Sequence, residues 1–296
     1  MSQIAELDAA GFMPVPGESE EMFVSRVRGI LDRHAQFDAL LAENKTLTVF
    51  GEITVEEREK IPPEIIARAA DVTWELYKFR TSHVPGFFLS RSVGLLWGGC
   101  LIGDPDENFS LFLIRNAFRT REKWLFYRRT ELFAHELCHS MRLELRETTL
   151  EEHFAYQTSP SALRRYLGNC FIRDVDAVLF VVPALLLLAA TLVRDFFWGA
   201  MPVGPFWILA FVYPLFLLLR NAASRRVVKK AARKLKEFGI TETDAILFRC
   251  TREELCALGA LENREQFDRL ILDLGSRELR WKIIIERFIT RENTTV

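Results

Sequence analysis

Along the first eighty residues, apolar positions recur at the spacing of a helix face. Phe23, Val27, Ile30, Leu31, Phe37 and Leu41 predict an amphipathic helix over residues 19–41. Pro62-Pro63 opens a second predicted helix that runs to about Lys78, because proline at a first helical position is already set to the required φ. Between them, Thr54 followed by Glu57 has the form of a capping box. The texture then changes. Residues 86–90, 93–102 and 109–115 are rich in Phe, Leu, Val and Ile and punctuated by glycine, and Gly103-Asp104-Pro105-Asp106 reads as a turn between the last two. These runs predict a small antiparallel sheet. A helix free of Pro and Gly is predicted next, over about residues 121–145.

Further along, the pattern loses its polar positions altogether. Residues 177–193 form 17 residues without a charge, and 196–219 form 24 more. Only Arg194 and Asp195 separate the two runs. A bilayer core of about 30 Å takes roughly 17–25 helical residues, so two membrane spans joined by a turn are predicted. Phe196, Phe197, Trp198 and Trp207 are placed to act as interface aromatics. A re-entrant hairpin stays open, given Pro183, Pro214 and the short first run. So does a buried hairpin of a soluble core. A basic helix follows to about Phe238, with Arg220, Arg225, Arg226, Lys229, Lys230, Arg233, Lys234 and Lys236. The positive-inside rule puts this flank in the cytoplasm, and two spans bring the N-terminal region to the same side. The basic run suits anionic lipid head groups or a solvated face. Thr251 with Glu254 and Asn263 with Gln266 predict two more helix starts in a C-terminal helical bundle that ends over residues 277–290.

Composition narrows the picture modestly. Lys plus Arg (39) balances Asp plus Glu (40) in the 296 residues, which gives no argument for a nucleic-acid partner. Five cysteines without paired spacing read as reduced thiols. Residues 1–17 lack the basic start and apolar run of a signal peptide.

One motif carries chemistry. His135-Glu136-Leu137-Cys138-His139 is H-E-x-x-H on the predicted helix. Histidines four apart project from one helix face, where both imidazoles can close on one zinc ion at about 2.0–2.1 Å. The intervening glutamate can act as proton acceptor and donor for water attack on a peptide bond. Cys138 points away from the histidines and is expected in the core. His34 and His83 have no partner pattern and are expected at the surface or at caps. The flanking Arg128, Arg129, Glu131, Arg142, Glu144, Arg146 and Glu147 are too polar for lipid, so the motif is expected beside a membrane and not within it.

After the motif, Thr148 or Thr149 can cap a second helix that carries Glu151, Glu152 and His153. Here the chain resembles the gluzincin group of zinc metallopeptidases, in which a helix beyond H-E-x-x-H supplies a glutamate within E-x-x-A or a related pattern. Glu152-His153-Phe154-Ala155 matches that form. The resemblance implies a compact zincin-like core with His135, His139 and Glu152 as zinc ligands, Glu151 and His153 remaining as alternatives to Glu152. It further implies Glu136 as catalytic base and Tyr156 as donor to the oxyanion. Tyr156 lies one turn beyond Glu152 on the same face. The strand nearest the metal helix, 109–115 or 93–102, is expected to pair with extended substrate.

The expectation is therefore an α+β chain in three parts. They are a zincin-like domain over 1–170, a transmembrane or re-entrant hairpin over 175–220, and a basic helix with a helical region over 221–296. The expected function is a membrane-anchored zinc endopeptidase that faces the cytoplasm and cleaves membrane-proximal or membrane proteins. The alternative is a regulatory membrane protein that uses the same fold for partner binding, against which the intact motif glutamate counts.

Overall fold

The computed structural model describes residues 1–89, 97–104 and 109–290. The chain is mostly helical, with three small sheets among the described residues. Helix α1 (Gln3–Ala9) and the long α2 (Glu20–Asn44) are capped by Ser2 and Ser19, whose hydroxyls accept from Ala5 N–H and Met22 N–H. Lys45 in the left-handed region ends α2. A hairpin of β1 (Thr46–Val49) and β2 (Ile53–Glu56) follows, turning through Phe50 and Gly51 at positive φ. Thr54 lies within β2 and is paired to Thr48, so it caps nothing. The alternation Leu47, Val49, Ile53, Val55 around a glycine turn takes this segment as strand.

Helix α3 (Pro63–Tyr77) begins at the expected proline and packs on the helix that carries His135 and His139. Then come β3 (Gly86–Leu89), β4 (Gly99–Asp104) and β5 (Phe109–Arg115), in the order β3-β5-β4. The sheet is mixed, not antiparallel throughout: β4 runs antiparallel to β5, and β3 parallel to it. Phe109 and Leu111 through Ile114 on β5 are all buried, and a strand apolar on both faces belongs in the centre of a sheet. With β5 between them, the successive strands β3 and β4 lie on opposite sides of it. The expected strand residues 90 and 93–96, and the turn residues Pro105 and Asp106, lie outside the described residues.

The metal helix is shorter than the sequence suggested. Residues 123–128 form a small hairpin, β6 (Lys123–Trp124) and β7 (Tyr127–Arg128), and α4 spans Arg129–Arg142 with a 3-10 turn to Leu145. Glu122 starts the helix: its backbone carbonyl accepts from Arg129 N–H and its carboxylate from Thr130 N–H. A carboxylate there also suits the positive end of the helix dipole. Phe133, Leu137, Cys138 and Met141 are buried between sheet and helices, each large side chain contributing about 1.5–3 kcal/mol.

Helix α5 (Glu151–Ala155) starts after Leu150, and neither Thr148 nor Thr149 caps it. Helix α6 (Ala162–Leu167) then leads to α7 (Asp174–Phe196) and α8 (Gly204–Glu237). These two are long and apolar enough to cross a membrane, with mean hydropathy 2.4 and 1.6 over the most apolar 18 residues of each. Most of their apolar side chains are exposed. At their base, Asp176 is buried and accepts from Tyr213 Oη (2.7 Å), Arg220 Nη2 (2.5 Å) and the amides of Ile172 and Arg173.

The C-terminal helices α9 (Thr243–Phe248), α10 (Arg252–Ala260), α11 (Arg264–Arg277) and α12 (Leu279–Ile284) start largely where expected. Thr251 and Glu254 form the capping box and Asn263 accepts from Gln266 N–H. They pack onto the N-terminal region. Tyr77 stacks on Phe248 at 4.2 Å, and buried Asp8 is paired to Arg249 and Arg287. His34 is not a surface residue, and His83 is half-buried. His34 is buried with Nε2 3.1 Å from the Ser110 carbonyl, and His83 stacks on Phe12 at 4.0 Å.

Candidate metal centre

Helix α4 presents His135 and His139 on one face, and α5 lays Glu152 across them. His135 Nε2 and His139 Nε2 are 3.1 Å apart, and Glu152 reaches the first with Oε2 at 3.5 Å and the second with Oε1 at 3.4 Å. One donor atom from each lies within 4.8 Å of the others, a grouping that can hold a metal ion. Two imidazoles meeting nitrogen to nitrogen, beside a carboxylate, form a donor set that can share a cation or a proton. Side-chain exposures of 14%, 21% and 28% leave the cluster open to solvent on one side.

The two adjacent glutamates take different places. Glu151 lies at His139 Nδ1, 3.5 Å away, and Arg142 Nε holds it at 2.9 Å. Arg142 is fully buried, stacked on Phe154 and bonded to the Phe248 carbonyl. Glu151 thus orients the far side of a ring whose near side faces Glu152, the arrangement by which carboxylates fix metal-binding histidines. His153 turns away from the cluster and lines a different cavity.

Glu136 is buried beneath the edge strand, and its Oε2 accepts from Leu101 N–H at 2.9 Å. Burial raises its pKa and Glu152 adds to this, while His139 and the Leu101 amide work the other way. Burial also holds His135 well below the usual imidazole value, helped by His139 and Arg164. His139 goes the other way. Burial opposes a charge there, but Glu151, Glu152 and Glu136 push it up to about 10. In this arrangement a proton on His139 occupies the role of a cation among the carboxylates.

Tyr156, on the 3-10 turn after α5, packs its ring edge-on against His135 at 4.6 Å. Gly168 makes room for it, since a Cβ there would come within 2.1 Å of the Tyr156 ring. Arg164 stands beside both, 6.0 Å from the Tyr156 ring and paired to Glu131 at 2.8 Å. The structure thus gathers His135, Glu136, His139, Glu152 and Tyr156 in one place, and adds Glu151, Arg142, Arg164 and the Leu101 amide. Spacing gave no signal for the last two, which arrive from other elements.

Strand β5 is closed on both sides, by β3 and β4, so the expected pairing of substrate with residues 109–115 has no free edge. Strand β4 pairs on one side only among the described residues. Arg115 N–H bonds the Gly98 carbonyl, and alternation then turns the backbone groups of Leu101 and Gly103 outward. No family model matches the chain, and no curated protein or solved structure matches it.

Proposed function

We propose that the chain is a membrane-anchored zinc endopeptidase in which His135, His139 and Glu152 hold the ion. The single observation that carries this reading is the convergence of those three donors beside a buried Glu136. Imidazole nitrogens with one carboxylate are the donor set of catalytic zinc sites that keep a fourth position open, and the ion supplies Lewis acidity toward a carbonyl and a water there.

Glu136 takes one proton from water as the oxygen adds to the peptide carbonyl carbon. It returns that proton to the amine nitrogen as the C–N bond breaks. Its burial brings it toward the working pH of a general base. Tyr156 donates a hydrogen bond to the developing oxyanion, from a position fixed by His135 and Gly168. An extended substrate strand adds to the outward edge of β4 beyond Leu101, whose own N–H is held by the base.

The hairpin α7–α8 anchors the protein, with the centre and the C-terminal helices on the cytoplasmic face. The run of Arg and Lys beyond Leu219 supports that orientation. Leu125, Phe126, Leu163 and Phe171 are exposed apolar side chains outside the hairpin, and Phe171 packs its ring against Phe180 of α7. This favours substrates that are themselves membrane-bound.

The test is metal analysis with a peptidase assay on purified protein. Expected are about one zinc per chain and a loss of about a hundredfold or more in Glu136→Gln with zinc retained. Zinc far below one equivalent, or undiminished activity in that variant, overturns the proposal.

A further inference from the structure

On the side of α5 away from the metal cluster is a cavity of about 410 Å³, walled by α3, α5, α6, the basic half of α8, and α9. That volume is within the range of small-ligand sites. Its polar lining is unusual. Arg165, Arg225 and Lys229 all face it, and no carboxylate among the described residues forms an ion pair with any of them. The Arg165 and Arg225 guanidiniums instead bond backbone carbonyls, Arg165 to Ser159 (2.7 Å) and Arg225 to Arg165 (2.7 Å), which fixes their positions without neutralising them. Asp244 is the one acidic residue in the lining and is exposed, so the cavity keeps a net positive charge.

His153 supplies the second observation. It is 7% exposed, lines this cavity, and its Nδ1 is buried without a hydrogen-bond partner. A buried polar atom without a partner is destabilising unless something supplies one. Gln157 adds an amide on the next turn.

We infer that this cavity binds a phosphoryl group, held by Arg165, Arg225 and Lys229 with His153 Nδ1–H as an additional donor. Two guanidinium forks and an ammonium match the several oxygens and double charge of a phosphate monoester better than a single carboxylate. The location bears on the source. Arg225 and Lys229 follow Arg220, the first charge after the apolar run, by about 8 and 14 Å along α8. The polar layer of a bilayer is about 5–7 Å deep on each side, so both a projecting lipid headgroup and a soluble phosphoester can reach the cavity. The headgroup source rests on the membrane reading above; phosphate binding itself needs neither that reading nor zinc.

The experiment uses full-length protein in phosphatidylcholine nanodiscs, titrated with inorganic phosphate and with acetate, and repeated in discs that contain phosphatidic acid. Expected is saturable phosphate binding that weakens about tenfold or more in Arg225→Gln and in Lys229→Gln. Lys229 is exposed, so its substitution leaves the fold intact. Loss of phosphate binding in the phosphatidic acid discs assigns the lipid source, and unchanged binding assigns the soluble one. The inference is overturned by absence of phosphate binding in phosphatidylcholine, by binding equal in both variants and wild type, or by acetate binding as tightly. Binding that survives Arg225→Gln but vanishes in His135→Ala places the anion at the metal cluster and overturns it equally.

Discussion

The backbone N–H of Leu101 donates to the Glu136 carboxylate at 2.9 Å, across 35 residues of sequence. Strand β4 and the proposed base are thereby tied together. The amide also favours the ionised carboxylate against the burial that raises its pKa. Leu101→Pro removes that donor at an outward-facing strand position, where proline is best tolerated. The acidic limb of the pH–activity profile should then move to higher pH by about one unit, the worth of one hydrogen bond to a charged group. A profile that stays in place removes the amide from the mechanism.

Glu152 and Glu151 should separate in a metal competition assay. Replacing Glu152 by Ala takes away a ligand, whereas Glu151→Gln disturbs only the orientation of His139. Affinity should fall by about 10–100-fold for Glu151→Gln and by more for Glu152→Ala. Equal losses would contradict the distinct places the two carboxylates occupy.

Gly168→Ala should act through Tyr156. The added methyl overlaps the ring, so the ring shifts off His135, with an overpacking cost of about 1–3 kcal/mol. The expected result is a kcat lowered toward that of Tyr156→Phe while zinc content stays constant. Full kcat in Gly168→Ala would take Tyr156 out of the reaction.

Acid should destabilise the N-terminal region through its histidines. Burial and the neighbouring His34 lower His83 to about 3, and burial lowers His34 as well. The unfolded chain takes up these protons as pH falls below about 6.5 while the folded chain does not. Stability is thus full above 6.5 and declines toward the folded value, by up to about 1.4 kcal/mol per pH unit for each ring. His83→Phe keeps the stack on Phe12 and removes one of the two. Denaturant titrations at pH 7 and pH 4.5 should show a smaller difference for the variant, and an unchanged difference would refute the assignment.

Zinc uptake should release protons for a related reason. At pH 8, His139 carries a proton held by Glu151 and Glu152, and His135 carries no charge. The released count should be about one per ion, read from calorimetry in buffers of different ionisation enthalpy. Zero release would mean that the His139 proton is absent.

Local signals in the chain reached most of this arrangement. The i, i+4 histidines, the apolar runs and the Thr251 and Asn263 caps depend on neighbours within one or two turns, and they lie where spacing predicts. Failures came where contacts beyond a helical turn decide. Residues 123–128 have helical composition but form a hairpin, because Glu122 starts α4 at Arg129. Thr54 and Glu57 imitate a cap at a segment that instead pairs with the strand just upstream, Thr54 opposite Thr48. The central place of β5 follows from its burial on both faces, and the parallel sense of β3 leaves no mark in the alternation. Arg164 and the Leu101 amide reach the centre from separate elements, and only the fold brings them there.

Asp176 clasps Arg220 and Tyr213 at the foot of the hairpin, and the same Arg220 holds the Cys170 carbonyl at 2.8 Å. Cys170 is two residues from Gly168, the seat of the Tyr156 ring. In the proposed anchor these contacts make the two apolar helices one lever, whose short arm ends at the ring of Tyr156. On the proposed reading, bilayer thickness becomes an input to catalysis. A membrane that forces the hairpin to lean changes the footing of Tyr156 while the three metal ligands, carried by α4 and α5, stay where they are.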